Sequence, residues 1–326
     1  MRRPWSDDRA ERMLGAIACL VLLTIAGMVV FVFSKAWPSF ANNGLSWFGA
    51  DSESATVDQQ LTEIFNSPAD PSAYAYDLNA WPLLWGTILT TVGAVLLGLV
   101  LAIFSAIFIV EFAPPGLRRV LEPVVRLLAA VPSVVYGLIG ILVLVPFVGN
   151  HLVSRERKES VIQVVQLSGT SVLVAVTILT VMIVPIMISI MVDALRNVPD
   201  AWTQGAAALG VNRWRVIWTI SVRAARPAFV AAAVLATARA LGEAIMLSMV
   251  SGSQGFAPNP LDGLTFLFEP TRPLAATIVD NAEGLSVAPF GQTIYAFAAV
   301  LLISTFFLSL AGWAAKQPLK RYGITS

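Results

Sequence analysis

Long stretches of this chain contain no Asp, Glu, Lys or Arg. Five are unbroken: Met13–Ser34, Leu78–Val110, Leu127–Asn150, Ser160–Val192 (more polar in its first third) and Gly284–Ala315. Another runs from Pro227 to Ala238, is interrupted by Arg239 and Glu243, and resumes over Ala244–Ser251. A helix needs roughly 20 apolar residues to cross the hydrocarbon core. Inside lipid every backbone N–H and C=O must be satisfied within the protein, so such runs of Ala, Leu, Val and Gly predict helices. Barrel strands would alternate apolar and polar residues over about ten positions, a pattern this sequence lacks. The expected fold is all-α, a polytopic membrane helical bundle of about six transmembrane helices forming one transmembrane domain over residues 1–326.

Composition supports lipid as the solvent. Of 326 residues, 57% are hydrophobic and 13% charged, against about a quarter charged in soluble chains. The first apolar run is 22 residues long, longer than the 7–15 of a secretory leader. No small-x-small cleavage pattern follows at Lys35–Pro38, so it reads as a retained span. The single cysteine, Cys19, excludes an intrachain disulfide framework and a Cys-based metal site. The single histidine, His151, excludes a multi-histidine metal site and reads as a solvated loop residue. No metal site is expected.

Charge position sets the orientation. Basic residues collect on the cytoplasmic side of short loops. Arg2, Arg3, Arg9 and Arg12 precede the first run, and Arg118, Arg119 and Arg126 follow the second. Arg196, Arg213, Arg215, Arg223 and Arg226 follow the fourth, and Lys316, Lys320 and Arg321 follow the last. Six spans put all four segments on one side, with both termini cytoplasmic. Opposite them, Lys35–Asp77 has one Lys and six acids, and Gly252–Glu283 has one Arg and four acids. The loop with Arg155, Arg157 and Lys158 breaks the rule. Trp37, Trp47, Trp81, Trp85 and Trp313 lie near span ends, where an aromatic belt is expected. Residues 35–80 form a long extracytoplasmic segment, either an ordered cap or a simple linker.

Two constellations carry candidate chemistry. The first is the cytoplasmic loop of about 193–226. Asp200, after Pro199, can cap a helix start, and Gly210 suits its C-terminus. The small residues Gly205–Ala208 allow close approach of another surface, and Trp214, Ile217 and Trp218 recur at helical spacing. The pattern predicts a short helix, a turn and a second helix leading into the fifth span. The short helix is either a docking element or an interfacial helix touching lipid headgroups. The second constellation is Arg239 and Glu243. About 12 residues into the fifth span, Arg239 is expected near mid-membrane, roughly 18 Å along. Four residues apart, the two share a helix face and can pair. Intramembrane charges usually face a bundle interior and mark a substrate path; the alternative is a buried pair that locks helices. Pro132, Pro146 and Pro185 are expected to kink helices, Ser133 and Tyr136 to pack, and Glu111 with Arg118 and Arg119 to anchor at the interface.

Several segments together resemble a known family. Gln204–Gly210, followed after nine residues by Ile220, resembles the Glu-Ala-Ala loop of ABC importer permeases, which forms the helix docking on the ATPase. Here Gln204 replaces Glu, Gly205 replaces the first Ala, and Val222–Arg223 replace Leu-Pro. Arg239–Glu243 (Arg-Ala-Leu-Gly-Glu) resembles the signature of phosphate importer permeases. So do Ala130–Gly137, Gly86–Thr90 and Ile109–Pro114, while Ser34–Pro38 with Phe40 resembles the PstC-type subunit. The resemblance implies a type I ABC importer permease fold and a place in the bacterial plasma membrane. It also implies a PstA-type permease as heterodimer partner, a PstB-type ATPase dimer that holds ATP and Mg, and a PstS-type phosphate-binding protein. Inorganic phosphate would pass Arg239 and Glu243, and Gln204, Gly205, Ala206, Ala207 and Gly210 would couple to the ATPase. The chain has no Gly-x4-Gly-Lys-Ser/Thr loop for ATP, so it should not be an enzyme itself, and it should need no cofactor and no nucleic acid. Rival readings are a permease for molybdate, sulfate or an amino acid, and a membrane-embedded enzyme, for which one His and one Cys are too few.

Overall fold

Uninterrupted apolar sequence folds here into helices that pack through small residues. The computed structural model describes residues 5–49, 56–68, 70–161, 167–255 and 257–319. Arg2, Arg3, Lys320 and Arg321, read above as cytoplasmic flanks, lie outside the described residues, as do 50–55 within the extracytoplasmic segment and 162–166 within the fourth run.

The helices are α1 (Trp5–Asn43), α2 (Val57–Phe65), α3 (Trp81–Ile107), α4 (Pro115–Ala129), α5 (Ser133–Ile139), α6 (Val145–Phe147), α7 (Arg155–Val161), α8 (Val172–Arg196), α9 (Asp200–Ala208), α10 (Arg213–Val216), α11 (Val222–Leu241), α12 (Ile245–Val250), α13 (Leu274–Asp280) and α14 (Phe290–Leu319). Among the described residues six stretches are long and apolar enough to cross a membrane: Arg9–Phe48, Trp81–Phe112, Ser133–Leu152, Val172–Arg196, Arg213–Leu241 and Phe290–Ala315. The last three of the expected spans and the third start elsewhere than expected. Pro132 does not kink a helix but stands at the break between α4 and α5, so Leu127–Ala129 belong to α4. The fourth span begins at Val172, because Ser171 supplies its N-cap to Val174 N–H. The fifth begins at Arg213, 14 residues before Pro227, and the sixth at Phe290.

Helix α8 is the axis of the bundle. Met182, Ile183, Met187 and Met191 on it are buried. Lipid offers no hydrophobic gain for helix association, so close backbone approach has to supply it. On α3 this takes the form of Ala94, Gly98, Ala102 and Ala106, one every four residues, against α8. A Cβ at Gly98 would meet Ile183 Cδ1 at 3.4 Å. Ala232, Ala236 and Ala240 repeat the spacing on α11 and are all buried. On the lipid side α1 packs along α14.

The two ends of the bundle differ. At one end, the described residues of 35–80 form a cap rather than a linker. Helix α1 continues to Asn43, and α2 starts with a reciprocal cap between Thr56 and Gln59. Val57, Leu61 and Ile64 then pack with Trp47, Leu83, Phe290 and Phe297 in a second core. Trp47 is therefore no interfacial belt residue; it is fully buried, 5.8 Å from the Phe297 ring. The Tyr76 hydroxyl donates to Gln292 Oε1 at 2.6 Å, and burial pushes its phenol up from the ordinary value. The other end carries α4, α9 and the outer ends of α1 and α14. His151 closes a helical turn instead of sitting in a loop, and it is exposed.

Candidate functional site

Helix α11 stops inside the apolar run, and this stop organises the candidate path. Its last turn carries Arg239, and Gly242 and Glu243 leave the helix, with Gly242 N–H returning to Ala238 O at 3.3 Å. The six-residue α12 then restarts at Ile245. In lipid, non-helical backbone is tolerated only where protein covers it or where it lines a cavity. Glu243 is 8% exposed, and its Oε1 accepts from Met246 N–H at 3.3 Å.

The expected pairing of Arg239 with Glu243 on one helix face does not form. Arg239 and Glu243 lie on opposite sides of the helix end at Leu241, and the ion pairs among the described residues join other partners. Nor is Arg239 midway along its helix. Counting from Arg213 it stands about 39 Å of helical rise along, in the last turn. Arg239 is exposed on this chain, within electrostatic reach of the Tyr136 hydroxyl.

The segments that flank this break position it. Ala130–Gly137 brings α5 against α12. A Cβ at Gly137 would come within 2.9 Å of Met249 Sδ, and one at Gly140 within 2.6 Å of Val250 Cγ1. Tyr136 is buried, and its hydroxyl donates to Leu128 O at 2.9 Å, closing the end of α4. Ser133 starts α5. Gly86–Thr90 has a structural task. Thr87 Oγ1 accepts from Leu274 N–H at 2.8 Å, and Gly86 leaves room for the Thr271 side chain and the Arg272 carbonyl.

The loop of about 193–226 is laid out as the spacing predicts. In α9, Gln204, Gly205 and Ala207 are exposed and Ala206 is half-buried; Gly210, just beyond it, is exposed. Nothing stands within 4 Å of a Cβ at Gly205 or Gly210, so the small-residue face is open. Gly210 has φ +75°. Its N–H reaches Ala207 O at 2.9 Å and Val211 N–H reaches Ala206 O at 3.3 Å, the two bonds of a Schellman stop. Asp200 does not cap α9; Pro199 holds the cap position, and Asp200 sits in the first turn, where its charge suits the helix dipole.

A third group was not singled out in the sequence. At the cap end Arg272 pairs with Asp58 of α2 and lies 3.7 Å from Asp280 of α13. Asp280 in turn accepts from Ser248 of α12 and, at 2.9 Å, from Ser253. Asp58, Arg272 and Asp280 border a cleft of about 670 Å³. The signal was present: Arg272 is the one base among four acids in Gly252–Glu283.

Comparison with known proteins agrees with this architecture. The family described as binding-protein-dependent transport system inner membrane component matches residues 98–317. A Bacillus subtilis (strain 168) protein named probable ABC transporter permease YqgH is 31% identical, over 94% of this chain and 90% of its own length. The phosphate transport system permease PstC 1 of Mycobacterium tuberculosis is 29% identical over 97% and 94%, and the PstC of Xylella fastidiosa (strain 9a5c) is 30% identical over 71% and 69%. Among solved structures, a chain of a bacterial alginate ABC transporter superposes with TM-score 0.57 at 14% identity, covering 99% of this chain and 100% of that one. A chain of the inward-facing methionine transporter MetNI gives 0.52 at 17%, covering 73% and 96%.

Proposed function

The chain belongs to the family of binding-protein-dependent transport system inner membrane components, and on that premise we propose that it is the PstC-type half of an ATP-driven importer of inorganic phosphate. As a permease subunit it supplies a path and no catalytic centre. The reading pairs it with a PstA-type permease across the open face of α5 and α11. A PstB-type ATPase dimer, holding ATP and Mg, would dock on α9, and a PstS-type phosphate-binding protein on the cap. Both termini and α9 then face the cytoplasm, with the cap outside.

One observation carries the substrate reading: an exposed arginine, Arg239, with no ion pair among the described residues, beside a break in a membrane-spanning helix. A guanidinium is planar and can hold a phosphate through two parallel hydrogen bonds. Left unpaired, Arg239 keeps its full attraction for a passing anion. Glu243, buried and turned toward the α12 backbone, shapes the break and limits how tightly an anion rests there. Gln204, Gly205, Ala206, Ala207 and Gly210 act as the docking surface, since their small side chains let a partner approach the α9 backbone.

The test is ATP-driven uptake of labelled phosphate by the reconstituted complex, comparing wild type with Arg239→Gln. A charge-assisted hydrogen bond contributes about 1.5–3 kcal/mol, so uptake should fall about ten- to hundredfold while assembly and ATP hydrolysis persist. Unchanged uptake would remove Arg239 from the path. A wild type that moves sulfate or molybdate and not phosphate would keep the permease and replace the substrate.

A further inference from the structure

The end of α3 is gripped by two arginines, one of which belongs to the docking loop. A helix C-terminus leaves its last carbonyls without helical partners. In this chain α3 finishes in a π turn at Phe108–Phe112, and three successive carbonyls are taken by guanidinium groups. Arg118 donates to Ile109 O at 2.9 Å and also to Val110 O. Arg213 donates to Glu111 O. Its guanidinium also lies 4.8 Å over the Phe112 ring and 3.9 Å from the Glu111 carboxylate. The contact continues beyond Arg213. Trp214 meets Phe112 with ring centroids 6.1 Å apart, and Trp218 meets Phe104 at 6.3 Å. The loop's side of the contact is followed by a second π turn, Ile217–Ser221.

Arg213 is joined to α9 with little slack. Only Val211 and Asn212 separate it from Gly210. Val211 N–H is bonded back to Ala206 O, and Asn212 Oδ1 accepts from Trp214 N–H at 2.9 Å. Beyond its chain connections, α9 also packs against the π turn at Ile217–Ser221. We propose that Arg213 is a positioning residue which, with Glu111, Phe112 and Trp214, clasps the end of α3 to the docking loop, so that a displacement of α9 moves α3 together with α11. The Arg213 side chain is 62% exposed, so it adds little to packing, yet it makes three directed contacts with one helix end. A cation suits that position twice over, at the negative end of the α3 dipole and over an aromatic face. π turns at both sides of the contact are places where helices change their winding, and they recur at functional sites.

The proposal rests on the reading of α9 as the ATPase-docking helix. Its test is the amount of solute moved per ATP hydrolysed by the full complex in liposomes, for wild type, Arg213→Gln and Arg213→Lys. Arg213→Gln should keep hydrolysis within about twofold of wild type and lower uptake per ATP about fivefold, as expected for losing one cation–π contact and its charge-assisted bond. Arg213→Lys retains a cation over Phe112 and should recover at least about half of the ratio. An unchanged ratio in Arg213→Gln overturns the clasp, whether uptake and hydrolysis stay high or fall together, since a merely structural role moves both alike. If the wild type transports a different anion, the phosphate reading falls and the same ratio, taken with that anion, still decides the clasp. A wild-type complex with no ATP-driven flux of any solute overturns both.

Discussion

Gly140 lies where α5 crosses α12, and the distance there leaves no space for a methyl group. A Cβ would come within 2.6 Å of Val250 Cγ1 and 3.3 Å of Ile178 Cγ1. Overpacking of a tight core typically costs about 1–3 kcal/mol. Gly140→Ala should therefore lower the thermal midpoint of the detergent-solubilised protein. Val250→Ala in the same chain should restore part of it, since the colliding methyl is then gone. Arg272 is a second residue whose value lies in its surroundings. Its side chain is 14% exposed, between Asp58 and Asp280. Arg272→Met would leave two carboxylates near each other without their counter-charge. Breaking a buried pair costs about 3–5 kcal/mol, and the 44% exposure of Asp58 reduces this to about 1–3 kcal/mol. The expected outcome is a destabilised cap, read as faster proteolysis between Phe65 and Trp81. Adding Asp58→Asn should slow that cleavage again.

At the scale of elements, helix ends matter more than helix interiors. Interiors are set by small residues at four-residue spacing, as on α3 and α11. Ends depend on what receives their unsatisfied groups. Leu128 O near the end of α4 is met by Tyr136, the end of α3 by Arg118 and Arg213, and the end of α9 by its own Schellman turn. Tyr136 and Arg118 therefore act as helix closers. The break at Gly242 has the same logic. Glu243 supplies the acceptor that starts α12, so the side chain expected to pair with Arg239 is occupied by backbone.

For the whole molecule, the distribution of exposed apolar surface indicates what is missing around this chain. Helix α1 is exposed along most of its length, as befits lipid. Exposed apolar residues also lie on α5, Val134, Val135 and Leu138 among them, and at Leu142 in the π turn that continues it, on the same span as buried Tyr136 and next to the break. A second permease against this face would enclose Arg239. Co-expression with a PstA-type chain should then raise the yield of folded protein and protect a cysteine placed at Leu142 from a membrane-impermeant thiol reagent. Equal labelling with and without the partner would place the interface elsewhere.

Much of this protein can be read along one dimension. The number of spans, their helical nature, the short helix α9 with its Gly210 stop, and the family itself all follow from charge-free length, from small-residue spacing and from short local motifs. These are properties of neighbouring residues, and neighbouring residues are what a sequence lists. Other features required three dimensions. Pro132 was read as a kink and is a break; Trp47 was read as a belt and is a core residue. Arg239 and Glu243 lie four apart but do not pair, because the helix between them ends. The residues that decide such matters are distant in the chain. Arg213 and Glu111 are 102 positions apart, and Arg272 and Asp58 are 214 apart. Where a helix ends depends on which remote group satisfies its last carbonyls, and whether a charge is free depends on who else reaches it. Only the packed bundle settles either.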